Sequence, residues 1–100
     1  MAGDKKLIPV GSQQLTVDNT SGGVALTVPA TADRASMVLQ TAQIRVLDDG
    51  TAPTTTLGKV VEAGQSIEYL DFDSRDTLLA FRAIRTGGTS GTLDISYYRS

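Results

Sequence analysis

Aspartates are the side chains with the most scope for chemistry in this sequence. Asp71, Asp73 and Asp76 stand in one short run and Asp48-Asp49 in another. Closely spaced carboxylates supply the several oxygen ligands that calcium takes. A calcium loop also uses a glycine for its sharp turn and a bidentate glutamate beyond it. Here Phe72 and Arg75 interrupt the run, no glycine sits at its centre, and no later glutamate is in register. Paired carboxylates also serve glycoside hydrolysis as acid and as base or nucleophile. These pairs fall in turn-forming sequence instead of a cleft lined by aromatics. The run reads as a solvated loop, with Ser74 or Asp76 able to cap a single helical turn. No catalytic residue, cofactor site or metal site is assigned from it.

The remaining motifs are weaker. Gly87-Gly88-Thr89-Ser90-Gly91 has the glycines of a phosphate cradle but neither a helix behind it nor a lysine. Asn19-Thr20-Ser21 matches a glycosylation acceptor, which means little without a secretory signal. Histidine and cysteine are both absent. That removes the commonest general base near neutral pH, the thiolate nucleophile and any disulfide framework. With a net charge of −2, and with Lys5-Lys6 a lone pair and Arg82 and Arg85 single residues among apolar ones, there is no basic stripe for phosphates. Nucleic acid is therefore not expected as a partner, and no apolar run is long enough for a signal peptide or a membrane span.

These residues have to be held by strands. Gln13–Val17 and Val24–Val28 alternate around the turn Asp18–Gly23, forming a hairpin or strands of opposed sheets. Ser36–Leu47 is the longest extended candidate; a helix over Ala32–Ala42 is the rival, and recurring Val, Thr and Ile favour strand. Ala42–Gly58 reads as strand, turn and strand, reversing at Asp49-Gly50 and Pro53. Leu57, Val60 and Val61 straddle Gly58, which suggests a bulge or bend. Ser66–Leu70 alternates, and Leu78–Arg85 fits either period, with a strand from Leu79 preferred. Thr92–Arg99 closes the chain, Leu93, Ile95 and Tyr97 facing one way and Asp94, Ser96 and Tyr98 the other. The expected fold is all-β: one small antiparallel β-sandwich, jelly-roll-like or immunoglobulin-like, of about seven or eight short strands. It would occupy residues 13–100, with residues 1–12 as a flexible or docking arm.

Apolar Leu7, Ile8 and Val10 in that arm are more than a solvated tail needs, so they are candidate contact residues. Tyr98 and Arg99 join them, because exposed tyrosine and arginine are typical of contact hot spots. The alternative for Tyr97 and Tyr98 is purely structural, one closing each side of a thin sandwich. A 100-residue chain with few aromatics builds a thin core, which makes self-association a reasonable expectation.

From Ala42 to Tyr98 the sequence resembles a family of small tailed-bacteriophage virion proteins. The resemblance rests on the order of Ala42-Gln43-Ile44-Arg45, Asp49-Gly50-Thr51-Ala52-Pro53-Thr54, Gly58, Ala63-Gly64, Phe81-Arg82-Ala83-Ile84-Arg85, Gly87-Gly88 and Ser96-Tyr97-Tyr98. It covers over half the chain. It implies a non-enzymatic β-sandwich subunit present in many copies in the virion and made in the host cytoplasm. A capsid-surface decoration (cement) protein comes first, self-associating as a homo-oligomer, a trimer foremost, and binding other virion proteins such as a major capsid protein. A tail, neck or baseplate component is the runner-up. A carbohydrate- or receptor-binding module is the alternative of another class, and an enzyme comes last. Arg45 is expected to pair with a carboxylate among Glu68, Asp71 and Asp73.

Overall fold

Eight strands and one short helix form in the computed structural model, which describes residues 7–70 and 73–100. The strands are β1 (Ile8–Val17), β2 (Val24–Ala25), β3 (Arg34–Gln40), β4 (Ile44–Leu47), β5 (Lys59–Val61), β6 (Ser66–Tyr69), β7 (Arg82–Arg85) and β8 (Gly91–Arg99). The helix α1 (Arg75–Ala80) lies between β6 and β7. Residues 1–6, 71 and 72, which include Lys5-Lys6 and Asp71, lie outside the described residues.

The strands make two antiparallel sheets of four: sheet A in the order β1-β8-β3-β6 and sheet B in the order β2-β7-β4-β5. First pairs with last, β1 with β8, then β2 with β7, β3 with β6 and β4 with β5. The chain is thus one long antiparallel ribbon, rolled so that successive pairs fall alternately in the two sheets. Contacts of β8 with β3 and of β7 with β4 seal the roll. This is the jelly-roll arrangement, one of the two sandwich types expected.

Val17, Met37, Leu39, Leu93, Ile95 and Tyr97 of sheet A face Ile44, Val46, Val61 and Ala83 of sheet B in one buried cluster. Each large apolar side chain so buried contributes roughly 1.5–3 kcal/mol before the entropy of ordering is charged against it. Ala32, Leu78 and Phe81 are also fully buried in that cluster. Along the β1 flank the sandwich is closed by side chains. Gln13 donates from Nε2 to Thr27 Oγ1 at 3.4 Å and accepts from the Thr27 N–H at 3.1 Å. Pro29 lies so close to Gly11 that a β-carbon there would stand 3.2 Å from its Cγ.

Several expectations are corrected. β1 begins at Ile8, five residues before the expected domain start, because Ile8–Ser12 find partners in Arg99–Ser96 of β8. Of the two readings of the 13–28 pair, strands of opposed sheets is the one seen, with β1 in sheet A and β2 in sheet B. Ser36–Leu47 is not one strand but β3 and β4, which also belong to opposite sheets. The chain crosses between them at Thr41, whose φ of 77° is a costly conformation for a β-branched residue. The Thr41 hydroxyl donates to the Ser90 carbonyl at 3.1 Å, tying the crossover to the start of β8. Gly91 makes room for it, since a β-carbon there would lie 2.7 Å from Ile44 Cγ2 and 3.0 Å from the Ala42 carbonyl. Leu78–Arg85 is helix to Ala80 and strand only from Arg82, not from Leu79. Burial of Leu78 on one helix face, with Leu79 exposed, decides an ambiguous pattern.

Candidate interaction surface

Four of the residues singled out as contact candidates meet where β1 begins and β8 ends. Ile8 stands opposite Arg99 and Pro9 opposite Tyr98, while the register slips between Pro9 and Gly11 and leaves Val10 as the extra residue of a bulge. Proline has no N–H for the ladder, so an edge strand is the place that tolerates Pro9. Ile8 is 39% exposed and Arg99 exposed, whereas Val10 and Tyr98 are half-buried and Val10 packs against the core. Leu7, half-buried, immediately precedes them.

Successive residues of β8 face opposite ways, and this separates the two tyrosines. Tyr97 is in the core with its hydroxyl donating to Gln13 Oε1 at 2.7 Å. Tyr98 faces outward opposite Arg34 of β3. Arg34 is buried and pairs with the Asp33 carboxylate at 3.1 Å. The same carboxylate accepts the Ser100 N–H at 3.1 Å and the Ser100 hydroxyl at 3.2 Å. Asp33 therefore locks the end of β8 to the start of β3 and holds Tyr98 and Arg99 in place. Nothing in the local sequence marks Asp33 and Arg34 for this role, because β8 comes alongside only in the folded chain. The arrangement offers an apolar side chain, an aromatic and a cation on a braced strand end, which is the chemistry of protein contact.

Burial pushes the Tyr97 phenol up to about 12, above the usual phenol value of about 10. Its folded-state preference for the neutral form contributes stability below about pH 10 that is lost as pH rises through about 12. Burial and the neighbouring Asp48 raise Tyr69 in the same direction. The urea midpoint is expected to fall across that alkaline window, and Tyr97→Phe to flatten the fall; an unchanged slope would contradict the assignment.

The acidic residues do not converge. Asp48 accepts the Tyr69 hydroxyl at 2.8 Å. Asp49 closes a turn by accepting the Thr51 N–H at 3.0 Å, which holds its carboxyl below the usual carboxylate range. Asp73 accepts the Arg75 N–H at the start of α1. Ser74 occupies the N-cap position but its side chain makes no capping bond, so the expected cap is supplied one residue earlier. Among the described residues no three carboxylates gather as a metal site would require.

Arg45 pairs with neither Glu68 nor Asp73. Its Nε donates to the Thr55 carbonyl at 3.0 Å and its Nη1 to the Gly58 carbonyl at 2.7 Å. No ion pair of Arg45 is seen among the described residues. The segment between β4 and β5 is thus not a tight turn but a loop laid on the outer face of sheet B. Pro53, fully buried, lies against Gly23 just before β2, on the far side of β7. Ile84 of β7 shares the outer face with Arg45, its cross-strand partner, yet is only 7% exposed because the loop covers it. Compared with known proteins, the chain matches no protein-family model, no curated protein and no solved structure.

Proposed function

We propose that the protein is a non-enzymatic structural component of a tailed-bacteriophage virion, a capsid-surface decoration protein that self-associates and binds the shell. The observation that carries this reading is how the residues of the resemblance behave together. Arg45, Pro53, Gly58 and Ile84 belong to one clasp on sheet B, although they lie far apart in sequence. Residues in that order make sense as parts that hold one small sandwich together, and no chemistry has to be invoked for them. The jelly roll adds support by analogy, since viral capsid domains use it, although fold alone does not assign function. The contact surface is the strand end bearing Ile8, Tyr98 and Arg99, with Leu7 and Val10 behind. Its partners are further copies of the chain, as a trimer, and a major capsid protein; the place of action is the virion, after synthesis in the host cytoplasm.

Light scattering of the purified chain tests this. A particle of three times 10.5 kDa is the expected result. A hexameric or dodecameric ring would favour the runner-up, a tail, neck or baseplate component. A monomer that also fails to bind shells would overturn both. Removing residues 1–12 would confuse assembly with folding, because Ile8–Ser12 are part of β1. Ile8→Glu combined with Tyr98→Ala is the sharper variant, and it is expected to weaken association about tenfold or more if these are hot-spot residues.

A further inference from the structure

The two flanks of the sandwich differ. Gln13 and Thr27 close the flank at β1, but the flank between the edge strands β5 and β6 is open and holds a cavity of about 320 Å³. Its floor is apolar, from Val46, Val61 and Ile67 on three different strands. Its rim is polar and carries Asp48, Lys59, Gln65, Ser66 and Tyr69. We propose that this cavity binds a neutral polyhydroxylated ring, a mono- or disaccharide.

The rim is built as a set of fixed hydrogen-bonding groups. Tyr69 stands edge-on to buried Phe81, with ring centres 6.5 Å apart, and its hydroxyl holds Asp48 at 2.8 Å. That bond uses one carboxylate oxygen and leaves the other as a positioned acceptor. The Glu62 N–H donates to Gln65 Oε1 at 2.7 Å, so the Gln65 amide NH₂ is the group left to donate. Lys59 pairs across the ladder with buried Val46, which turns its side chain toward the space between the sheets. It forms no ion pair among the described residues.

Acceptor, amide donor, ammonium and hydroxyl therefore surround an aliphatic floor. A purely apolar ligand would strip water from Asp48 and Lys59 without replacing it, at a cost in free energy. A strongly charged ligand would meet one group of each sign. A sugar ring satisfies both demands, since its hydroxyls donate and accept while its C–H face packs on valine and isoleucine. The volume is at the small end of ligand pockets, which limits the ligand to one or two rings. Inward-facing Lys59 also argues against a strand from another chain, because an inward charge is a device that keeps edges from pairing. The cavity borders β6, at the opposite edge of sheet A from the assembly surface at β1, so the proposal stands or falls independently of the virion reading.

The test is a ¹H–¹⁵N NMR titration of the whole chain with glucose, galactose, mannose, N-acetylglucosamine and maltose. Saturable shifts confined to residues 46–48, 59–61 and 65–69 are expected for at least one sugar, with roughly millimolar affinity for so small a ligand. Asp48→Asn should weaken binding about tenfold by removing the charged acceptor. Gln65→Trp, at an exposed position on the same side of the chain as inward-facing Ile67, should abolish it by filling the mouth. Should Gln65→Trp lose its dispersed spectrum, Lys59→Met carries the same expectation as Asp48→Asn. No saturable shift with any of the sugars would overturn the proposal, as would variants that bind like the parent. Shifts of these same residues with protein concentration alone would also overturn it, since a second copy would then fill the cavity.

Discussion

Phe81→Ala is expected to cost about 3–5 kcal/mol, the usual penalty for emptying a fully buried aromatic site. Phe81 is 0% exposed and ends α1, its N–H donating to the Leu78 carbonyl at 3.3 Å before the chain enters β7. Its ring meets Tyr69 of β6 nearly perpendicularly, at 83°, so it clasps the edge of sheet A to the start of sheet B. A domain of this size has about 5–15 kcal/mol in all, so this one truncation removes a large share. Urea unfolding should show a much lower midpoint with an unchanged m-value. Phe81→Leu, which keeps most of the volume, should lose about 1.5 kcal/mol or less. A loss below about 1 kcal/mol for the alanine variant would mean that the site collapses without a cavity, contrary to close packing at this end.

Arg45→Met should lose about 1.5–3 kcal/mol, because it keeps the aliphatic stem and deletes the charged hydrogen bonds to the Thr55 and Gly58 carbonyls. Those bonds pin the loop that covers Ile84 and seats Pro53 against Gly23. Gly58 is part of the same device. Its φ of +130° suits glycine, and a β-carbon there would crowd Arg45 Cβ and the Val46 carbonyl at 3.2 Å. Arg45→Lys should recover little, since a single ammonium cannot span two carbonyls as a planar guanidinium does. Limited proteolysis gives the second readout: cleavage within residues 49–57 should speed up in both variants. Wild-type stability together with wild-type cleavage of Arg45→Met would remove the clasp from the account.

Particular residues show how much of this was legible beforehand. The alternation of Leu93, Ile95 and Tyr97 against Asp94, Ser96 and Tyr98 placed one tyrosine inside and one outside, and burial of Tyr97 agrees. The break at Thr41 was not legible, because Gln40-Thr41-Ala42-Gln43 contains no glycine or proline and its conformation depends on contact with Ser90 and room beside Gly91. The carbonyls that hold Arg45 were not legible for a similar reason. Charge invites a carboxylate, but backbone carbonyls belong to every residue and leave no trace in the choice of side chain. Asp48, Lys59 and Tyr69 looked unrelated because they come from three separate segments that only the roll brings to one cavity.

The all-β class follows from local pattern alone: period-2 alternation with frequent turn residues yields short strands with one buried face each. Which sheet each strand joins, where the chain crosses between sheets and which flank stays open emerge only from the folded packing. Alternation records that a face is buried but not against what. Strand pairing is made by backbone groups that are the same at every position, so the partner is chosen by packing between residues distant in sequence.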